Sequence, residues 1–155
     1  MTLKSINPYN NKLIKSYKEF NSKKIETEII KSNLAWEKWR LTDYKKRAEL
    51  MLKLATLLKS KRTIIAKLIT QEMGKTIIAG EAEIDKCALV CEYYANNTEK
   101  FLEDEAVKTE ASKSYVSFKP IGLVLAVMPW NFPFWQVFRF LAPNLMAGNC
   151  GILKH

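Results

Sequence analysis

Met128-Pro129-Trp130-Asn131-Phe132-Pro133 is the stretch on which the fold turns. It follows an apolar run, Leu123–Met128, with no charge in it. Such a run predicts a strand buried on both faces, as parallel strands are. Beyond the hexapeptide, Phe134–Ala147 is predicted helical despite Pro143, and Gly148 closes the helix. Cys150–Leu153 is a second short apolar run. Strand, helix and strand make one βαβ unit, which crosses over right-handed into a parallel sheet. The hexapeptide then sits at the carboxyl end of a parallel strand, where open α/β sheets bind ligands.

Upstream, the pattern is mostly helical. Asn7-Pro8-Tyr9-Asn10-Asn11 is a turn signal, and Leu13–Tyr17 reads as a short strand after it. Ile25, Ile29, Leu34, Trp36 and Trp39 predict a helix from Ser22 to about Arg40. Thr42 or Asp43 caps a second helix striped by Leu50, Leu54, Leu57 and Leu58. A third is expected from about Thr63 to Glu72, stopped by Gly74, and a fourth from about Ile77 to Phe101. Ser112–Lys119 alternates as a half-exposed strand does. A sheet of two parallel strands is not a domain, because it needs helices on both faces and further strands beside it. The 155 residues are therefore expected to be part of a larger fold.

The charge is uneven. Residues 1–75 hold 18 lysines and arginines against 7 acids, while residues 76–155 hold 7 against 9, for a net +9. A basic half suits nucleic acid or an acidic partner, but these lysines are scattered through several segments, as on a solvated face. A non-enzymatic basic helical interaction protein is the alternative reading, and it requires salt-sensitive binding. Cys87, Cys91 and Cys150 have no metal spacing, so no metal site is expected; Cys87 and Cys91, four apart, read as small core residues. The polar opening, Met1–Lys15, has no apolar leader, and no long uncharged apolar run is present. A cytoplasmic protein with no membrane span is expected.

Four side chains stand out. The amide of Asn131, held between Trp130 and Phe132-Pro133, suits a donor to an oxyanion; it equally suits a helix N-cap. Trp135 and Arg139 follow at intervals of four, so all three lean to one side of a helix start. Arg139 is the only charge between Lys119 and Lys154, and a lone guanidinium there needs either an acid elsewhere in the fold or a carboxylate ligand. Lys154 ends the second strand, placed to meet a phosphate or ribose or simply solvent. Neither glycine-rich phosphate fingerprint is present.

These residues resemble the aldehyde dehydrogenase superfamily. The hexapeptide resembles the signature that opens its cofactor domain, and further motifs follow in family order: Ser5–Tyr9, Ala35-Trp36 through Arg47, Glu72-Met73-Gly74-Lys75, Lys119–Gly122, and Ala147-Gly148-Asn149 through Lys154. The resemblance covers nearly the whole chain but only about the first third of a family member. It implies an α/β fold in three parts: N-terminal helices in 1–111, an oligomerisation strand in 112–122, and the first βαβ of a Rossmann-like cofactor sheet in 123–155, incomplete in this chain. It implies Asn131 as the catalytic oxyanion amide. Val127, Met128, Pro129, Trp130, Asn131 and Lys154 would face NAD or NADP. Phe132 and Trp135 would wall the aldehyde channel, and Arg139 would hold a distal carboxylate. The segment Asn131–Arg139 resembles the succinate-semialdehyde branch of the shorter bacterial type. The family's cysteine nucleophile and general-base glutamate have no counterparts here, so the chain alone is expected to be inactive. A homo-oligomer is implied for the whole enzyme, and association of the apolar helix face for this chain by itself.

Overall fold

The computed structural model describes residues 2–154. Three long helices carry the molecule: α1 (Ser22–Trp39), α2 (Tyr44–Met73) and α3 (Ile77–Phe101). Ahead of them, β1 (Thr2–Ile6) and β2 (Leu13–Lys18) form an antiparallel hairpin. Its turn is closed by the Asn7 and Asn10 side chains, which accept from Tyr9 N and Lys12 N, and by Asn11 in the left-handed region. The first strand of this hairpin has no counterpart in the predicted elements, because Thr2–Ile6 is too short and mixed to show a period.

Each long helix starts where its sequence says it should. Asn21, Asp43 and Thr76 accept from the backbone N–H groups of Lys24, Lys46 and Ala79. Gly74 ends α2 in the left-handed conformation. One division is corrected, since the expected second and third helices are a single helix of 30 residues. The polar run Lys59–Arg62, which looks like a break, lies along the α2–α3 edge. There Lys59 pairs with Glu92, Arg62 with Glu81 and Asp85, and Thr63 donates to Glu81. Nothing in that run interrupts a helix, and its partners lie on a different element.

The core lies between α2, α3 and α4 (Trp135–Met146). Met51, Ala55, Leu58 and Ile69 of α2 meet Ile84, Cys87, Ala88, Cys91 and Ala95 of α3, and Phe138, Ala142 and Met146 of α4. Small residues at three- and four-residue spacing bring α2 and α3 close together. A methyl added at Gly80 would stand 3.1 Å from Ala66 Cβ and 3.2 Å from its Cα. Full burial of one side chain such as Ile84 contributes about 1.5–3 kcal/mol. Leu50 and Leu57, expected in the α2 stripe, are exposed, and α1 buries no residue at all. The tie from α1 to α4 is instead Trp39 Nε1, which donates to Leu145 O at 3.0 Å.

β5 (Leu123–Val127) and β6 (Cys150–Lys154) pair in parallel across α4, as the βαβ pattern requires. Asn149 joins their starting ends, its Oδ1 accepting from Ile121 N at 2.7 Å and Gly122 N at 3.0 Å. The expectation that β5 is buried on both faces is corrected. Leu125 and Val127 are 67% and 65% exposed, while Ala126 between them is buried. The half-exposed strand expected over Ser112–Lys119 shrinks to β4, Tyr115–Val116, which pairs with a two-residue strand β3, Glu105–Ala106. Alternation was present in the sequence, but only Tyr115 and Val116 pair within a strand, with Ser114 O accepting from Val107 N beside them.

Candidate functional site

The carboxyl ends of β5 and β6 lie side by side. Val127 is in register with Lys154, and Met128 N donates to Lys154 O at 3.0 Å. After Val127 the chain leaves the sheet, and Trp130 through Phe134 run through turns before α4 begins at Trp135. Two prolines impose this, each lacking the N–H that would extend a strand or an α-turn. Trp130 and Asn131 are exposed in that turn. Among the described residues Asn131 makes no hydrogen bond, so both ends of its amide are open.

The N-cap reading of Asn131 is therefore corrected. The residue before α4 is Phe134, which has no side-chain cap. The helix's free N–H groups are satisfied from another element. Glu83 Oε1, on α3, accepts from Phe134 N and Trp135 N, each at 2.9 Å. Its second oxygen takes a hydrogen bond from Lys75 Nζ. Glu83 is buried, and Lys75 nearly so, with side chains 1% and 12% exposed. Lys75 Nζ also lies over the Phe132 ring, 3.8 Å from its centroid. Reading the sequence missed Glu83 altogether. Its only local signal is a carboxylate within an otherwise small and apolar helix stripe, where an unpaired charge would be costly.

The helical spacing of Asn131, Trp135 and Arg139 also needs correcting, because Asn131 lies outside the helix. Phe132 and Trp135 face the α3 side. Lys86 Nζ sits 4.1 Å from the Trp135 ring centroid, as Lys75 does over Phe132. Arg139 is exposed on α4 and lines a shallow recess of about 340 Å³ with Val127, Met128, Pro129, Gln136 and Phe140. No carboxylate of the described residues pairs with it. Lys154 is exposed at the end of β6 and likewise has no acid partner among the described residues. A larger apolar groove of about 740 Å³ lies on another side, between the end of α2 and α4, lined by Leu68, Met73, Trp130, Pro133 and Phe138 among others.

The three thiols stand apart from this site. Burial pushes Cys87 and Cys91 up to about 12, and Cys150 upward too, so none presents a ready thiolate. Among the described residues no group of three metal-capable side chains converges, and no helix is long and apolar enough to cross a membrane.

Compared with known families, residues 1–155 match the description "Aldehyde dehydrogenase family" over their full length. The chain belongs to the aldehyde dehydrogenase family. A "Probable succinate-semialdehyde dehydrogenase [NADP(+)]" of Synechocystis sp. is 43% identical over 155 residues, all of this chain and 34% of that protein. "Succinate-semialdehyde dehydrogenase [NADP(+)] 1" of Mycobacterium tuberculosis is 41% identical over 158 residues, all of this chain and 35% of that protein. Among solved structures, the succinic semialdehyde dehydrogenase of Streptococcus pyogenes in complex with NADP+ superposes with a TM-score of 0.93 at 31% identity, over 98% of this chain and 34% of its own. This aldehyde dehydrogenase chain thus spans about a third of the length of the relatives it matches.

Proposed function

We propose that the chain supplies the first third of an NAD(P)-dependent semialdehyde dehydrogenase, acting on succinic semialdehyde or a close carboxylated homologue. The observation that carries this is Arg139, a cation with no acid partner among the described residues, lining one recess with Val127–Pro129 at the end of β5. Such a guanidinium suits a carboxylate taken up bidentately. The cofactor side fits the same strand ends. Lys154 offers a free ammonium where a parallel sheet binds nucleotides, and Val127, Met128, Pro129 and Trp130 surround the exit of β5. NAD or NADP would supply the hydride acceptor. The residues of this chain would bind and orient. Asn131 donates its amide N–H to the oxygen of the attacked aldehyde as it gains charge, Phe132 and Trp135 wall the channel, and Arg139 holds the distal carboxylate.

A nucleophile and a general base are needed as well. Cys87 and Cys91 are sealed in the helical core, and Cys150 lies in β6 with its thiol pushed up by burial, so the attacking thiolate must come from outside residues 1–155. Residues 1–111, 112–122 and 123–155 would serve as the helical part, the oligomerisation element and the start of the cofactor sheet. The test is a chimera in which this chain replaces the matching first third of the Synechocystis relative. The chimera is expected to reduce NADP+ with succinic semialdehyde, and residues 1–155 alone are not. A folded but inactive chimera, or turnover by the isolated chain above a protein-free blank, would sink the proposal.

A further inference from the structure

The buried Lys75–Glu83 pair is not used by the reaction as described, and its placement calls for a role. A carboxylate in a helical core is costly to desolvate and persists only when its oxygens are filled. Here both are filled. Lys75 bonds one oxygen, and the other collects the first two free N–H groups at the start of α4. Those N–H groups belong to Phe134 and Trp135, three and four residues after Asn131. The same lysine lies over Phe132, the residue directly after Asn131. The turn that presents Asn131 is thus held on its carboxyl side by Glu83 of α3 and by Lys75 from the segment just before α3, while on the other side Met128 N ties it to Lys154 O of β6. Asn131 itself has no bond among the described residues, and Phe134 provides no side-chain cap.

We infer that Lys75 and Glu83 are positioning residues for the proposed oxyanion amide of Asn131: the ion pair fixes the Asn131–Trp135 turn against α3 and so sets where the amide points. This rests on the reading of Asn131 given above. An amide misplaced by a fraction of an ångström keeps the site's composition but loses transition-state contact, so the effect falls on kcat.

The experiment uses the full-length chimera with Asn131→Ala, Glu83→Gln and the double variant. Asn131→Ala is expected to lower kcat about a hundredfold or more. Glu83→Gln is expected to lower kcat about tenfold with KM for NADP+ within twofold, and to cost nothing further when Asn131 is already Ala. Amide hydrogen exchange across 131–136 is expected to quicken in Glu83→Gln and not in Asn131→Ala. If Glu83→Gln does not fold, Lys75→Met/Glu83→Gln removes both buried charges together and carries the same expectation. A tenfold loss that persists on the Asn131→Ala background, or a lowered melting temperature with kcat intact, overturns the positioning role and leaves the reading of Asn131 standing. Full activity in Asn131→Ala removes that reading, and the proposal with it. Faster exchange in Glu83→Gln would then mark a purely structural clamp.

Discussion

Arg139 and the cysteines show how one kind of residue can gain meaning from exposure and another lose it. Arg139 stands exposed on α4 with no acid beside it among the described residues. Replacing Arg139 with Gln in the chimera is expected to raise KM for succinic semialdehyde tenfold to a hundredfold, the worth of a charged hydrogen bond of roughly 1.5–3 kcal/mol. KM for an uncharged aldehyde of similar length should hardly move, and an equal rise for both would remove Arg139 from the carboxylate's binding. The cysteines run the other way. Cys87 and Cys91 rise from 9.0 to about 12 because burial disfavours the thiolate. A raised acid keeps its stabilising neutral form below pH 9 and loses that contribution as pH climbs from 9 towards 12. Stability should therefore fall over that window. At pH 8 a thiol reagent should label Cys150 in the folded chain and all three thiols only in denaturant, and fast native labelling of Cys87 or Cys91 would contradict this.

Between elements, approach distance decides. The α2–α3 contact depends on having no side chain at Gly80, where an added Cβ meets the Ala66 backbone. Gly80→Val should destabilise by about 1–3 kcal/mol through overpacking, read as a lower urea midpoint of the chimera. An unchanged midpoint would mean that the helices part at no cost. The elements themselves were largely legible beforehand: the cap at Asp43, the stop at Gly74 and the strand–helix–strand spacing of 123–154 are local chemistry. The false break near Lys59–Arg62 and the overlong strand at Ser112–Lys119 were not, because ion pairs to α3 and a partner for β4 come from elsewhere in the chain.

For the molecule as a whole, the unevenness of cover matters most. Leu125, Val127, Trp130 and Leu153 are exposed around the two-stranded sheet, and Ile25, Ile29, Ile30 and Leu34 along α1. Apolar surface on that scale drives association. Isolated residues 1–155 should elute from a sizing column as aggregates or a loosely packed oligomer, while the chimera resolves to one discrete species. A sharp monomer peak with cooperative melting of the isolated chain would contradict this. The basic first half is only partly paired off: Lys24, Lys46, Lys53 and Lys59 each face a glutamate, but Lys46 and Lys53 share Glu49, and 18 lysines and arginines stand against 7 acids in that half.

The sequence by itself determined the helical stretches, apart from the false break within α2, the βαβ order and the prolines that end β5 ahead of Asn131, because caps, prolines, glycines and apolar periodicity act within a few residues. The family motifs were legible in the same way. Only the tertiary structure decided what supports the turn that carries Asn131. Glu83 lies 51 residues from Phe134 along the chain, and no spacing rule links them. Packing of α3 on α4 brings the carboxylate to the N–H groups that α4 cannot satisfy, and a buried charge finds its partners only once the chain has folded.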